Sequence, residues 1–532
     1  MKLSAQDYRN KTLGCWLGKT IGGTLGEPME WRRQRNEVSF YWQDLNGEPR
    51  PNDDLDIQLI WLNALEMHGL EIDAQLLGDY WTLYNDAHWS EYGNAKANLK
   101  SGLNPPLSGS MHNDFKDSDG SYIRSEIWAT ICPGNPELAA RYAYEDAIVD
   151  HGDGEGTYAE VFCAVVEAAA YLVQDINKLV EIGLSYIPEQ CAVSQAIRRM
   201  IECYRQGMSA EEMRIDILQK FRGEVYWGRE CNISLEDKAL GLDGGKPGFD
   251  VPVNMAFTMA GLFYGEGDFG KTLCINAMLG EDTDCTCATA GSIFGILCGA
   301  DAIPEKWIKP IGYGITTLCL NKADMCCCGM SIPATVQELT ERTYALAQQV
   351  LLRNRSLLQL SETEPTSLIY NIPEWEGRRN FIHVQYVDMS LNGTEFDPDS
   401  LLSPDHGAAL YSCMGGPVYR NHQFTVAVDY LEDGAAVYSE EKTIRIKLRN
   451  HSRNIQEFVN FKWYLPDEWT VSPARSGKVF MTTPFLHKAD AELAFTFTIP
   501  QMQPVERLVL ELTMDGRSFV QLVPVVFTRE FR

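Results

Sequence analysis

The sequence predicts a multidomain chain, an all-α half followed by an all-β, immunoglobulin-like sandwich. Three observations carry that expectation. Apolar residues recur at helical spacing through residues 1–350, and the period changes to two after about Val384. The chain has 532 residues and no evident internal repeat, more than the roughly 250–300 at which a single core stops growing.

In chain order, helical spacing predicts helices over 8–25, 55–67, 158–173, 192–204, 255–263 and 288–297. Several are apolar nearly all round, as suits the centre of a large bundle. Gly, Pro, Asn and Asp clusters punctuate them at 46–54, 101–120, 241–252 and 265–270. Two long loops are expected, at about 95–121 and 223–252; loops of that length inside a compact domain are usually functional or disordered. A helix over 334–350 closes the half. The expected domains are 1–350, a linker over 351–383 with a polar stretch at 361–366, and a β-rich module over 384–532. Strands are predicted at 424–430, 442–448, 457–463, 493–499, 508–513 and 520–527, with turns at 391–393, 432–434 and 514–516. The module carries no catalytic motif. It is expected to be accessory, packing on the helical domain or on another subunit of a homo-oligomer.

The net charge of −27 and pI of about 4.8 argue against nucleic acid or an anionic membrane as partner. A phosphate-bearing substrate would need a local cation to invert the field. No signal-type apolar run opens the sequence, and no apolar stretch reaches the roughly 18 residues of a membrane span. The 15 cysteines are odd in number and lack framework spacing, so they read as reduced thiols of a cytoplasmic protein. Cys326, Cys327 and Cys328 are adjacent, a poor geometry for one zinc ion. Gly265-Glu266-Gly267-Asp268-Phe269-Gly270-Lys271-Thr272 fits a P-loop by letter, but a helical pattern precedes it where a strand is required.

Two acid-rich segments stand out. Asn52-Asp53-Asp54-Leu55-Asp56 and Gly280-Glu281-Asp282-Thr283-Asp284-Cys285 each sit at the mouth of a helix too apolar for the surface. Acids in a first helical turn are common because the helix dipole favours them, and one such segment alone reads as a capped helix. Two together would repel, and a bound cation is the simplest way to keep them ionised. Oxygen ligands select Mg²⁺, Mn²⁺ or Ca²⁺ over zinc, and a pair of acidic motifs suits two ions side by side.

A family resemblance brings these segments together. Gly14-Cys15-Trp16-Leu17-Gly18-Lys19-Thr20-Ile21-Gly22-Gly23-Thr24-Leu25-Gly26-Glu27-Pro28-Met29-Glu30 resembles the opening helix of the ADP-ribosylglycohydrolase family. Asn52-Asp53-Asp54 resembles its Thr-Asp-Asp motif, and Gly280 to Cys285 its Gly-Gly-Asp-Thr-Asp-Thr motif. Asp119-Gly120-Ser121-Tyr122-Ile123-Arg124 is similar to its Asn-Gly-x-x-Met-Arg loop, and the stretch from Asp146 to His151 to its Asp-Ala…Thr-His segment. The resemblance covers the helical half and not the β-rich tail.

It implies an all-α catalytic domain with a dinuclear Mg²⁺ centre, Mn²⁺ being the other candidate, which hydrolyses the glycosidic bond of an ADP-ribosyl or related ribosyl compound. The implied metal ligands are Asp53, Asp54, Asp282 and Asp284, with Asn52 offering an amide oxygen. Glu30, with Asp284, is the implied catalytic group: it would take a proton from the attacking water or assist the leaving group. Glu27 is the fallback, and the bland reading of Glu30 is a solvated side chain beside Arg32 and Arg33. Gly120, Ser121 and Tyr122 would wrap phosphate with backbone N–H groups, Arg124 would meet phosphate or pair with Glu126, and His151 would lie near a ribose. Trp89, Tyr92 and Asn94 offer an aromatic shelf for a base. Asn52, Cys285 and Gly23 depart from the family pattern at two threonines and an aspartate, while Asp56 adds an acid. Those departures leave open a hydrolase of another nucleoside or ribosyl metabolite, or a catalytically silent ADP-ribose binder.

Overall fold

A computed structural model describes residues 2–30, 32–222, 233–242, 250–353, 366–367, 369–373, 384–388, 397–411, 415–451, 457–482 and 490–529. These form two compact units. One comprises Met1–Tyr92, Asp114–Ala147 and Gly154–Ala408; the other comprises Gly93–Asn113, Ile148–Asp153 and Ala409–Arg532.

The first unit is helical, as expected. Four helices position its site: α1 (Ala5–Gly26), α2 (Asp53–His68), α3 (Val251–Tyr264) and α4 (Thr283–Cys298). α1 starts in a capping box, Ser4 accepting from the Asp7 N–H while the Asp7 carboxylate accepts from the Ser4 N–H. It carries a glycine every fourth residue, and this stripe lies against α4 backbone to backbone. A Cβ on Gly14, Gly18, Gly22 or Gly26 would fall 2.0–2.4 Å from the carbonyl oxygens of Gly295, Gly291, Cys287 and Thr283 respectively. The descending partner numbers make the pair antiparallel. Only glycine permits such an approach, and it sets the C-terminal end of α1 beside the N-terminal end of α4. Two short ladders add to this unit, Lys2–Leu3 with Thr366–Ser367 and Ile369–Pro373 with Val384–Asp388.

The second unit is a β-sandwich. Its strands are β1 (Val418–Arg420), β2 (Phe424–Asp429), β3 (Ala436–Val437), β4 (Glu441–Asn450), β5 (Glu457–Tyr464), β6 (Thr470–Ser472), β7 (Ser476–Met481), β8 (Asp490–Thr498), β9 (Val505–Met514) and β10 (Val520–Arg529). One sheet runs β6-β8-β4-β2-β1 and the other β7-β5-β9-β10-β3. All pairs are antiparallel except β10 with β3. The alternate residues Ile444, Ile446 and Leu448 of one sheet and Leu508, Leu510 and Leu512 of the other share one buried core. Leu103 and Leu107 belong to that core although they precede the strands by some 300 residues. Asn104 Nδ2 donates to the Tyr419 hydroxyl at 2.9 Å, and Arg507 donates to the Ser101 carbonyl at 2.7 Å.

All six predicted strands are present, each within three residues of its expected bounds. The loop expected at 95–121 is not one loop: helix Ser90–Lys100 fills its beginning and a turn of helix follows at Leu107–Ser110. The dense run of breakers starts only at Ser101, and Ala95, Lys96, Ala97, Leu99 and Lys100 before it are good helix formers that carry the helix past Gly93, Asn94 and Asn98. In the loop expected at 223–252, Ser234 caps the short helix Leu235–Ala239, while 223–232 and 243–249 lie outside the described residues. So does most of the expected linker. The P-loop look-alike is a turn between α3 and the helix Phe269–Leu279, with Lys271 paired to Glu266. No helix among the described residues is long and apolar enough to cross a membrane.

Candidate metal and active site

The two acid-rich segments meet in the first unit. Asn52 caps α2: its Oδ1 accepts from the Asp54 N–H at 2.8 Å. Asp282 takes the N-cap position of α4 but makes no cap bond, which leaves its carboxylate for other work. The turn before it is unusual. Gly280 and Glu281 both have positive φ, +80° and +66°. A Cβ on Gly280 would meet the Gln34 carbonyl, and Glu281, which is not glycine, is held by ion pairs with buried Arg33 and Arg222. Thr283 Oγ1 donates to the Gly26 carbonyl at 2.8 Å, tying the start of α4 to the end of α1. Glu30 follows that end through the one-turn helix Glu27–Met29.

The result is a half-buried Glu30 with buried Asp282 and Asp284, one carboxylate oxygen from each lying within 4.8 Å of the others. Asp54, Asp284 and Cys285 form a second such group. A cavity of about 320 Å³ opens over them, walled also by Asp53, Trp89, Tyr92, Asp119 and Gly120. That volume lies within the roughly 300–1,000 Å³ range of small-molecule pockets. Trp89 is 42% exposed and Tyr92 buried, their ring centroids 5.9 Å apart. The Tyr92 hydroxyl donates to Asp53 Oδ2 at 3.1 Å.

Packing carboxylates this closely raises their proton affinity. Burial, then Asp284, pushes Asp53 up to about 6. Burial, then Asp284, Asp53 and Asp54, holds Glu30 well above the usual carboxylate range. Asp54 and Asp282 are raised likewise, by burial first, and burial keeps the Cys285 thiol protonated. Asp282 Oδ1 and Asp284 Oδ1 are buried and take no hydrogen bond from an N–H group among the described residues. Hard oxygen donors, mutual repulsion and unfilled buried lone pairs together fit a divalent cation. Residues Glu30, Asp282 and Asp284 would hold it.

Other expected site residues stand elsewhere. Asn52 turns its NH₂ to Asp284 Oδ2 at 3.1 Å, since its amide oxygen is committed to the cap. Gly120 lines the cavity, but Ser121 and Tyr122 do not: Ser121 Oγ donates to the Gly156 carbonyl, and Tyr122 is fully buried. Arg124 pairs with Asp146 at 2.9 Å, not with Glu126, and is wholly buried, so it is not placed to meet a phosphate in this cavity. Asp56 accepts from the Leu318 and Cys319 N–H groups, both at 2.6 Å, and serves as a loop anchor. His151 belongs to the second unit, where it lies buried 3.0 Å from Asp150. Asn94 is in that unit too. The Cys326–Cys328 run is exposed and joins no metal-sized cluster among the described residues.

Three residues were not assigned a role from sequence. Asp119 lines the cavity, buried, accepting from Asn254 Nδ2 at 2.6 Å; Asn254 Oδ1 in turn accepts from the Asp282 N–H at 3.2 Å. Glu91 packs against Gly120, where a Cβ would fall 1.9 Å from its Oε1. Lys19 lies buried in the middle of α1, 2.8 Å from Glu126 Oε1 and 3.4 Å from Asp54 Oδ2. Burial opposes its charge, but Glu126 and Asp54 outweigh that and hold the ammonium above its ordinary range. Its one visible signal was a lone charge on an otherwise apolar helix face.

The sequence model described as ADP-ribosylglycohydrolase matches residues 4–349, well over half of the chain. The chain therefore belongs to the ADP-ribosylglycohydrolase family, a family of hydrolases. Among solved structures, one described as "ADP-ribosylglycohydrolase-related protein complex" matches at 18% identity with a TM-score of 0.41, over 65% of this chain and 99% of that one. No curated protein matches the chain.

Proposed function

We propose that the helical unit hydrolyses the glycosidic bond of an ADP-ribosyl compound with the help of a divalent cation, Mg²⁺ or Mn²⁺. The observation that carries this reading is the convergence of Glu30, Asp282 and Asp284 on the floor of the cavity; family membership supports it. A bound cation would neutralise the carboxylates and grip the vicinal hydroxyls of a ribose. Asp282 and Asp284, fixed at the start of a buried helix, orient that grip. Glu30, half-buried, would hold the cation through one carboxylate oxygen and through the other exchange a proton with the attacking water or the leaving group. Trp89, beside Tyr92, offers a face on which a base can stack.

One observation favours a second reading. The described residues lining the cavity include Glu30, Asp53, Glu91, Asp119, Asp282 and Asp284 but no Lys or Arg. A pyrophosphate is poorly served by such a wall, so a nucleoside or a ribosyl metabolite without phosphate is the other candidate. Turnover of ADP-ribosyl-arginine, ADP-ribosyl-serine and O-acetyl-ADP-ribose against simple nucleosides, with Mg²⁺ and with EDTA, decides between them. Activity on the ADP-ribosyl compounds that EDTA abolishes is the expected result. Activity confined to nucleosides favours the second reading. Calorimetric binding of ADP-ribose without any turnover would reject hydrolysis in favour of a silent binder.

A further inference from the structure

The carboxylates of the site face two different kinds of neighbour. On the side of Glu30, Asp282 and Asp284, oxygens face oxygens. Asp282 Oδ1 and Asp284 Oδ1, both buried, receive no N–H donor from the described residues. That is the environment of a cation.

On the side of Asp54 the neighbours are donors. Asn52 Nδ2 meets Asp284 Oδ2 at 3.1 Å. The amide cannot be turned round, because Oδ1 already accepts from the Asp54 N–H at 2.8 Å and a flip would oppose two N–H groups. Gly23 makes room for this amide: a Cβ there would lie 3.0 Å from Asn52 Nδ2. The Cys285 thiol lies 3.7 Å from Asp54 Oδ1. The Lys19 ammonium, almost wholly buried, lies 3.4 Å from Asp54 Oδ2. Asp54 Oδ1 and Asp284 Oδ2 are thus addressed by protons on sulfur and nitrogen, while Asp54 Oδ2, which takes no hydrogen bond, faces the charge of Lys19 at 3.4 Å. A second cation beside Asp54 would lose lone pairs to these donors and meet a fixed positive charge.

We propose that the protein binds one divalent cation, through Glu30, Asp282 and Asp284, and that Lys19, Asn52 and Cys285 replace a second ion beside Asp54. The proposal rests on the cation reading above and departs from the dinuclear centre that the family resemblance implies. Asn52 and Cys285 are also where the two acidic motifs depart from that resemblance, so the same residues that differ in sequence supply the donors in space.

The test is the binding of Mn²⁺ to the full-length protein after removal of metals with EDTA. Calorimetry should give one ion per chain, and the spin-resonance spectrum at saturation should be that of isolated Mn²⁺. Asp282→Asn should abolish binding while far-ultraviolet dichroism stays unchanged. Asn52→Thr, Cys285→Thr and Lys19→Met together exchange two donors for hydroxyl oxygens and remove the fixed charge, and should raise the stoichiometry to two, with a spin-coupled signal. Two ions in the unaltered protein overturn the single-ion proposal but leave the cation reading intact. No ion at all overturns both. A folded triple variant that still binds one ion shows that these groups do not exclude the second, and the proposal fails.

Discussion

Asp53 and Asp56 lie one turn apart on α2 and do different things. Asp53 faces the cavity and takes a hydrogen bond from Tyr92; Asp56 faces away and ties down the 318–319 backbone. Burial pushes Asp56 up to about 7, against the pull of the two N–H bonds. Its folded-state value therefore exceeds the roughly 4 of an unfolded aspartate. Between those values the folded chain holds a proton that the unfolded chain has released. The stabilisation from this group is full below about pH 4 and is lost as pH rises through about 7. Asp56→Asn should flatten that part of the profile of Tm against pH; parallel profiles for variant and parent would show that Asp56 does not titrate there. Glu30→Gln keeps the shape of the side chain but removes both its proton chemistry and one anionic ligand of the proposed cation, so Mn²⁺ affinity should fall with it. It should lower kcat by about 10²–10⁴-fold, the usual share of a general acid or base, with Tm little changed. A variant with full activity would remove Glu30 from the mechanism.

At the scale of elements, the spacing of four between Gly14, Gly18, Gly22 and Gly26 is plain in the sequence, but the surface it meets is not. That surface is the backbone of α4, some 260 residues away, and no local pattern announces it. Gly18→Ala would set a Cβ 2.0 Å from the Gly291 carbonyl oxygen, which two rigid helices accommodate only by moving apart. The expected cost is about 3 kcal/mol, at the upper end of ordinary overpacking, read from urea unfolding. The displacement would also part Glu30 from Asp282 and so weaken Mn²⁺ binding. An unchanged midpoint and unchanged binding would mean that the contact is softer than the geometry states. The strands were legible for a simpler reason. Period two reports a face buried against a second sheet, and in the sandwich it does so strand after strand. Helix Ser90–Lys100 was missed because long apolar periodicity is the signal for a helix and this one is short and polar.

At the scale of the molecule, the order of residues in the chain is not their order in the two units. Residues 93–113 and 148–153 fold with 409–532, and Leu103 and Leu107 complete the core of the sandwich. Ending the chain at residue 408 would strip these leucines of cover, leave Asn104 without the Tyr419 hydroxyl and deny the Ser101 carbonyl its arginine. The truncated protein should show low soluble yield and aggregation in size-exclusion chromatography. A monodisperse 1–408 fragment with full turnover would mean that the inserted segments stand alone.

The sequence by itself determined the family, the helical and β-rich halves and the clustering of acids at two helix starts, because these are properties of periodicity and local motif. It did not determine what each acid or amide faces. Asp56 turning away, Asn52 offering its NH₂, Arg124 retiring into a buried pair and Lys19 arriving beside Asp54 are outcomes of which helix packs on which. The contact of α1 with α4 decided part of this, since it brings the ends of both helices together, and with them Glu30, Asp282 and Asp284.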